Sequence, residues 1–328
     1  SVANLAGELK NNGEITASST STSSGSGYGI YVTKLTLTGK LINNGEITST
    51  GAPYGSGSGI YVTSGLNGNL TNNGKITTSG YGISVTNLAG ELTNNGEITA
   101  SGTSSPKSTG YGIFLNGGDT SSYSNIINTG VIYGKTNAIR VFNGTLEDLY
   151  NYGLLVAGET ITDGTITTPN NYGLAFKDVS GTYSATDDDF SKFGTISTEG
   201  EYIVVNAKAT GDKDNIGGTD SLTLEEGKLT YLDSEGDEQT ESISSDKKYV
   251  FNGITDTLKV SGENNKLNNS RVNAYETAVV MGEDNSILTL DNTVVNGGMK
   301  EDTTTISITE NGSALTVKGD SVINVRDG

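Results

Sequence analysis

Residues 70–85 read LTNNGKITTSGYGISV, and they contain the two short patterns on which the fold of the whole chain depends. The first pattern is Leu-x-Asn-Asn-Gly-x-Ile, from Leu70 to Ile76, and the second is Gly-Tyr-Gly-Ile-x-Val, from Gly80 to Val85. Apolar and polar residues alternate in both patterns, and β-branched residues occupy many of the apolar positions. This alternation predicts short β-strands.

Both patterns recur along the chain. The first is repeated at residues 9–15, 41–47 and 92–98, with weaker copies at 126–132, 149–155 and 190–196. The second follows it each time, for example as GYGIYV from Gly27, GYGIFL from Gly110 and, more distantly, NYGLAF at 171–176. Equivalent glycines are as little as 22 residues apart, at Gly74 and Gly96, and we take this as the length of one repeat. The Ser/Thr/Gly-rich spacers between the patterns vary in length, which predicts loops on one side of a repeat structure.

These repeats predict an all-β fold, a right-handed parallel β-helix in which each coil pairs with the next. Hydrophobic residues make up 33% of the chain, which suits a solenoid because its apolar core is thin. The six-residue period of left-handed solenoids is missing, and the regular spacing of Ile, Val and Leu argues against disorder. At about 4.8 Å per coil, a single rod of roughly a dozen coils is about 55 to 60 Å long.

Stacking turns each repeat position into a column. The isoleucines and valines of the second pattern are expected to point inward, as Ile83 and Val85 do, and the residues between them outward. The outward column contains Tyr31, Tyr61 and Phe114, which we identify as the possible contact surface because exposed aromatic residues often dominate recognition. The tyrosines of the Gly-Tyr-Gly segments form a further column, and a sugar ring is a possible partner for it.

The first asparagine of the Asn-Asn pair is the most regular polar position. Its spacing from Leu and Ile predicts an inward side chain near a corner, and stacked amides can bond to one another in a ladder. We assign these asparagines a structural role. The predicted ladder consists of Asn11, Asn43, Asn72, Asn94, Asn128 and Asn151.

Pattern and charge divide the chain into three parts. Residues 1–206 carry the regular Asn-Asn-Gly coils, and residues 207–248 are acidic and predict a hairpin excursion. Residues 249–328 regain apolar alternation without the Asn-Asn-Gly motif, and we interpret them as further, divergent coils, with a separate β-sandwich as the alternative. Asp233, Glu235, Asp237 and Glu238 in the acidic part are a possible calcium site, but their spacing is more typical of a solvated turn.

The composition excludes several kinds of chemistry. The chain has no cysteine and no histidine, which removes disulfides, Ser-His and Cys-His nucleophile pairs and the usual zinc ligand sets. We therefore expect no catalytic residues, no metal and no cofactor. A formal net charge of −18 also disfavours nucleic acid and anionic lipid as partners.

The combination of Asn-Asn-Gly-x-Ile with Gly-Tyr-Gly-Ile-x-Val resembles the passenger domains of type V autotransporters, especially the large fusobacterial-type outer-membrane adhesins. The motifs cover residues 1–206, and the remainder is similar in style. The resemblance implies a secreted, repetitive virulence factor on the surface of a Gram-negative bacterium, with an amino-terminal signal and a carboxy-terminal membrane barrel that this sequence does not contain. It supplies no binding-site motif.

The expected function is cell adhesion, with a rigid rod that attaches the bacterium to a host or bacterial surface receptor, either a protein or a neutral glycan. Two alternatives remain. In the first, the rod is only a spacer that displays a distal binding tip. In the second, the chain is a glycan-degrading enzyme built on a β-helix. We disfavour the enzyme because carboxylates are sparse in residues 1–110 and the chain has only three arginines.

Overall fold

The computed structural model describes residues 1–19, 26–51, 57–102, 110–118, 121–300 and 302–325. The protein is all-β, and most of its strand pairs are parallel. The spacers noted above fall largely at residues 20–25, 52–56 and 103–109, so the expectation that they stack on one side lies outside the described residues.

The strands of the Asn-Asn-Gly repeats come first. They are β1 (Val2–Leu5), β2 (Glu8–Asn11), β3 (Glu14–Ser18), β4 (Tyr28–Leu35), β5 (Lys40–Asn43), β6 (Glu46–Thr50), β7 (Ser58–Val62), β8 (Asn69–Asn72), β9 (Lys75–Thr78), β10 (Tyr81–Val85), β11 (Glu91–Asn94), β12 (Glu97–Ala100), β13 (Tyr111–Asn116), β14 (Ser122–Asn128), β15 (Val131–Gly134), β16 (Asn137–Asn151), β17 (Leu154–Ala157), β18 (Thr160–Asn171) and β19 (Leu174–Val179).

The later elements include one short helix. They are β20 (Thr182–Ser184), α1 (Asp187–Phe190), β21 (Thr195–Glu199), β22 (Tyr202–Asn206), β23 (Ala209–Asp212), β24 (Asn215–Thr219), β25 (Leu222–Glu225), β26 (Lys228–Leu232), β27 (Glu238–Ser242), β28 (Lys248–Gly253), β29 (Leu258–Ser261), β30 (Asn265–Asn268), β31 (Arg271–Ala274), β32 (Val279–Met281), β33 (Ile287–Asp291), β34 (Val294–Asn296), β35 (Ile306–Ile308), β36 (Ala314–Lys318) and β37 (Val322–Asn324).

The Asn-Asn-Gly pattern forms two strands joined by a corner, rather than one strand. In the repeat that starts at residue 69, β8 ends at Asn72 and β9 begins at Lys75. The backbone N–H groups of Asn73 and Gly74 both donate to the carbonyl oxygen of Asn43 in the preceding repeat, at 2.7 and 3.0 Å. Glycine is required at this corner because a Cβ on Gly74 would lie 2.1 Å from the carbonyl oxygen of Gly45. The expected third strand at 35–38 or 87–89 is reduced to isolated bridges of Leu66 with Leu35 and Leu88.

Equivalent strands of successive repeats pair in parallel register. Ile83 of β10 lies between Ile60 and Ile113, while Leu92 of β11 lies beside Leu70. We call this assembly of β1–β19 the first stack. Its strands belong to a 12-stranded sheet and a 10-stranded sheet, and the leucine, isoleucine and valine side chains between them form a continuous buried core.

A second set of parallel strands follows, which we call the second stack. It consists of β22, β25 and β28–β37, distributed over three sheets around their own buried core. The predicted excursion at 207–248 contains two antiparallel units, the β23–β24 pair and the β25–β26–β27 meander. The meander is joined to the stack because β25 pairs in parallel with β29.

Two assignments from the sequence were wrong. The sequence aligns residues 171–176 with the Gly-Tyr-Gly strands, but Leu174 pairs with Leu154, so this segment continues the strand that follows each Asn-Asn-Gly corner. Its side chains are therefore reversed, with Ala175 in the core of the first stack and Leu174 outside that core. The weak copy at 190–196 forms no coil, because it runs from the end of α1 into β21, which is antiparallel to β22.

The second stack lies along the first and runs in the opposite direction. Side-chain amides of the second stack donate to backbone carbonyls at the corners of the first: Asn206 to Tyr172 (2.9 Å), Asn252 to Tyr152 (2.8 Å), Asn273 to Thr129 (2.9 Å), Asn296 to Asn95 (3.1 Å) and Asn324 to Asn73 (3.4 Å). Partner numbers fall as donor numbers rise, so the chain doubles back. The expected single rod is therefore replaced by two stacks joined along what we call the asparagine seam.

Candidate contact surface

The outer side of β4, β7, β10, β13 and β16 presents aromatic rings. Tyr31, Tyr61, Ser84, Phe114 and Arg140 are successive partners in one parallel register and form one outward column. Tyr28, Tyr81 and Tyr111 lie beside it. We call the following set the aromatic surface: Tyr28, Tyr31, Tyr61, Tyr81, Tyr111, Phe114 and Phe142.

A glycine in each Gly-Tyr-Gly segment places the tyrosine on this surface. A Cβ on Gly82 would lie 2.2 Å from Cγ2 of Ile98, so the backbone at this position lies directly against the core. In a regularly alternating strand Tyr81 and Ile83 would share one side, but Ile83 is fully buried whereas Tyr81 is partly exposed, so the alternation breaks at Gly82. Its ring packs against that of Phe114, with ring centres 4.7 Å apart.

The rings are packed against one another over several repeats. Tyr28 stacks on Tyr61 with centres 5.1 Å apart, and Tyr81 stacks on Tyr111 at 5.6 Å. Burial, and then the neighbouring tyrosines, raises the pKa of Tyr61 above its ordinary value, so its hydroxyl is neutral at physiological pH. Tyr28 is 38% exposed, whereas Phe114 is only 8% exposed. Phe114 therefore lies on the predicted side of the stack but is largely covered by its neighbours.

Two depressions lie on the aromatic surface, and among the described residues Arg140 is the one charged side chain that lines them. Its positive charge is neutralised by a carboxylate. Its guanidinium donates to the carboxylate of Asp163 at 2.9 Å and lies 5.1 Å from the ring centre of Tyr111. The second distance is typical of a cation–π contact. The depressions have volumes of about 110 and 240 Å³, and they share Tyr81, Phe114 and Asn116 in their walls.

The predicted asparagine ladder lies on the other side of the first stack. Asn43 donates its side-chain amide to Asn72, and Asn72 to Asn94, each at 2.8 Å. The series begins with the donation from Asn11 to Asn43 and continues through Asn128 and Asn151 to Asn171. Sequence reasoning missed a second ladder, in which the other asparagine of each pair donates to the preceding repeat: Asn44 to Asn12, Asn73 to Asn44 and Asn95 to Asn73.

At the possible calcium site, the carboxylate of Asp233 accepts hydrogen bonds from the turn in which it lies. One carboxylate oxygen of Asp233 accepts backbone N–H groups of Glu235, Gly236 and Asp237, each at 3.0 Å. The other accepts the side-chain amide of Gln239 at 2.9 Å. These hydrogen bonds, led by that from Asp237, hold the pKa of Asp233 below its ordinary range. The arrangement is that of a hydrogen-bonded acidic turn.

A cleft of about 470 Å³ lies between the two stacks, near the end of the asparagine seam. Thr48, Thr77 and Thr99 line it together with Tyr133, the next register partner in their column, and Tyr275 of the second half of the chain lines it as well. Thr48 and Thr99 donate to the glutamate two residues before them, Thr99 to Glu97 at 3.1 Å. Position 75 is a lysine instead, and the buried hydroxyl of Thr77 has no hydrogen-bond partner among the described residues. Sequence reasoning did not identify this cleft, because it depends on how the two halves of the chain pack.

The outer residues that face the second stack change character along the first. Lys75 and Glu97 give way to Val131, Leu154 and Leu174 at equivalent positions. The three apolar side chains belong to a buried cluster shared by both stacks. This change from charged to apolar residues is visible in the sequence, and it could have indicated that another part of the chain packs against these strands.

Within the described residues, no helix has the length and apolar character needed to cross a membrane. No family model, curated protein or solved structure matches this chain.

Proposed function

We propose that this chain is an adhesive segment of a type V autotransporter passenger, displayed on the surface of a Gram-negative bacterium. The observation that carries the proposal is the aromatic surface, whose rings lie in contact along several adjacent repeats. Soluble proteins rarely expose contiguous apolar patches without a use for them, and such patches commonly bind a partner.

The architecture that goes with this function is a right-handed parallel β-helix. Parallel pairing of successive repeats and two asparagine ladders along the first stack support it. In a stack of this kind each repeat contacts only its neighbours, and side chains at equivalent positions form long columns. Such columns present a repeated contact surface to a receptor on a host or bacterial cell.

Charge narrows the range of partners. With 38 acidic and 20 basic residues, the chain repels nucleic acid and anionic lipid. Near the aromatic surface, Arg140 is already paired with Asp163. A protein or a neutral glycan on the receptor is therefore the partner class that we propose.

Attachment of protein-coated beads to epithelial and bacterial cells tests the function. We expect wild-type beads to bind, and beads carrying the double variant Tyr28→Ser, Tyr61→Ser to lose most of that binding. Leu37→Ser is the matched control, because Leu37 is 82% exposed but lies outside the aromatic surface. If wild-type beads attach to none of the cells, the adhesive function is wrong and a spacer function replaces it. Equal attachment by the double variant would show that another surface binds.

A further inference from the structure

The Asn-Gly dipeptide recurs along the chain, and this dipeptide is prone to spontaneous chemistry. The backbone nitrogen of the glycine can attack the side-chain amide of the asparagine, because glycine has no Cβ to hinder the approach. Hydrogen bonds that restrain the nitrogen or the amide oppose this attack. The dipeptide begins at Asn12, Asn44, Asn67, Asn73, Asn95, Asn116, Asn143, Asn252, Asn296 and Asn311.

At the corners of the first stack, hydrogen bonds restrain both reacting groups. The side-chain amide of Asn73 donates to Asn44, and its oxygen accepts the amide of Asn95, each at 2.8 Å. The backbone N–H of Gly74 donates to the carbonyl oxygen of Asn43 at 3.0 Å. The attack has to break these hydrogen bonds before the nitrogen can reach the amide carbon. We therefore expect the ladder asparagines to keep their amides.

Most of the other pairs are restrained at the glycine. Buried glycines follow Asn67, Asn252 and Asn296, at positions 68, 253 and 297. The N–H of Gly13 donates to the side chain of Asn11, and that of Gly117 donates to the hydroxyl of Tyr123. In each case the attacking nitrogen is either shielded from water or already engaged.

The pair at Asn143 is exposed, but it lies inside a strand. Phe142 and Thr145, on either side of it, pair with Asn116 and Ser122 of the neighbouring strands. The backbone is therefore held on both sides, which limits the rotation that the attack requires.

The pair Asn311-Gly312 differs from all of these. Both residues are exposed, in the turn between β35 and β36. Among the described residues, neither the side-chain amide of Asn311 nor the N–H of Gly312 has a hydrogen-bond partner. Only the backbone of Asn311 is engaged, because its N–H donates to Asp284 at 3.2 Å and its carbonyl accepts from Asn285 at 3.0 Å. The attacking nitrogen and the amide that it attacks are thus both free and open to water.

We propose that Asn311 is a site of spontaneous deamidation and the first Asn-Gly pair of the folded protein to react. The nitrogen of Gly312 gives its proton to hydroxide and bonds to Cγ of Asn311. The bond from Cγ to the amide nitrogen breaks, and the amide leaves as ammonia after it takes a proton from water. Water then opens the resulting succinimide at either carbonyl, which yields aspartate or isoaspartate. No atom is oxidised or reduced, and the inference is independent of the adhesive function.

The test is mass spectrometry of the folded protein after incubation at mildly alkaline pH. Trypsin releases residues 301–318, in which Asn311 is the only asparagine and glutamine is absent, so this peptide reports on one site. We expect its mass to rise by about one dalton, in two products that separate by chromatography. Fragment spectra of the peptides that contain Asn73 and Asn95 should show intact amides over the same period.

A variant and an unfolded sample provide the controls. Asn311→Gln keeps an amide at this exposed turn but forms the cyclic intermediate far more slowly, so its peptide should stay unchanged. In denaturant, Asn73 and Asn95 should convert as fast as Asn311, because the ladders are gone. Two results for the folded wild type would overturn the proposal. One is an intact Asn311 after a period in which the unfolded chain converts, and the other is conversion of Asn143 or a ladder asparagine before Asn311.

Discussion

Asparagine side chains hold this protein together in two directions. Along the first stack, Asn72 accepts the amide of Asn43 and donates to Asn94, both at 2.8 Å, and it is fully buried. Between the stacks, asparagines such as Asn296 donate both to the preceding asparagine of their own ladder, Asn273, and to a carbonyl across the seam. The amide suits this role because it carries two donors as well as an acceptor.

Replacement of one ladder residue should destabilise the fold without affecting attachment. In Asn72→Leu, the amide of Asn43 and the carbonyl of Asn94 each lose a partner in the interior, and an unsatisfied buried group costs about 1 to 3 kcal/mol. We expect a lower melting temperature and unchanged cell binding. Asn69→Leu, at an exposed position of the same strand, is the control. Equal stability of the two variants would count against the ladder.

Tyr183 links the stacks through a charged network. Its hydroxyl donates to Glu276 at 2.9 Å, and Lys300 pairs with the same carboxylate oxygen at 2.7 Å. Burial is the main cause that raises the pKa of Tyr183 from 10.0 to about 12. A group with a raised pKa in the folded state stabilises the fold fully below its unfolded pKa and loses that contribution as pH rises through the folded value.

The alkaline stability of the protein should therefore depend on Tyr183. Between about pH 10 and pH 12, the free energy of unfolding of the wild type should fall more steeply than that of Tyr183→Phe, which has no proton to lose. Denaturant titrations at several pH values measure this slope. Leu37→Ser, at an exposed position without a titratable group, should keep the wild-type slope. Parallel curves for the wild type and Tyr183→Phe would show that Tyr183 does not cause the loss of stability at alkaline pH.

At the scale of strands, β12, β15, β17 and β19 show how one repeated element serves two environments. Their inward residues, such as Ile98 and Ile132, keep the same apolar column. Their outward residues change from Glu97 to Val131 and Leu154, which pack against the second stack. The position in the repeat therefore determines which residues face the core of the first stack. Whether the outward residues are charged or apolar depends on whether the second stack packs against them.

A core residue of this junction should be important for stability. Phe176 is fully buried, and its ring lies 5.7 Å from that of Tyr183 and 5.8 Å from that of Tyr275. We expect Phe176→Ala to lower the free energy of unfolding by about 3 to 5 kcal/mol. Phe142→Ala is the control, because Phe142 is 45% exposed. A loss at position 176 no larger than that of the control would mean that the junction is not packed as described.

The parallel pairing of the repeats follows from their regular spacing, and much of the first stack was predictable for that reason. The sequence predicts a corner near the first asparagine, but it does not show that the corner divides the Asn-Asn-Gly pattern into β8 and β9, because the two-residue period of Leu70, Asn72 and Ile76 continues across it. The segment 171–176 was misplaced because Tyr172-Gly173 imitates the Gly-Tyr-Gly pattern, while Asn171 in fact continues the ladder from Asn151.

At the scale of the whole molecule, the sequence did not predict that the chain doubles back. Repeats report on contacts between neighbouring coils, whereas the seam joins residues as far apart as Asn73 and Asn324. The second half also lacks the Asn-Asn-Gly motif, so the sequence does not show which of its coils lie beside which coils of the first half. The sequence predicts the contact surface as a column, but the two depressions beside Tyr81 and Asn116 are visible only in the structure, because they depend on how the rings pack.

A distance between the two stacks in solution shows whether the chain doubles back. The chain contains no cysteine, so spin labels can be attached to single cysteines introduced at Thr71 and Val325. Asn324 donates to the carbonyl of Asn73, and with about 3.8 Å per residue the labels should lie within roughly 25 Å of each other. In one continuous rod they would be about 50 Å apart. A pulsed electron paramagnetic resonance distance below about 25 Å is the predicted result, and one near 50 Å would contradict the doubled-back stack.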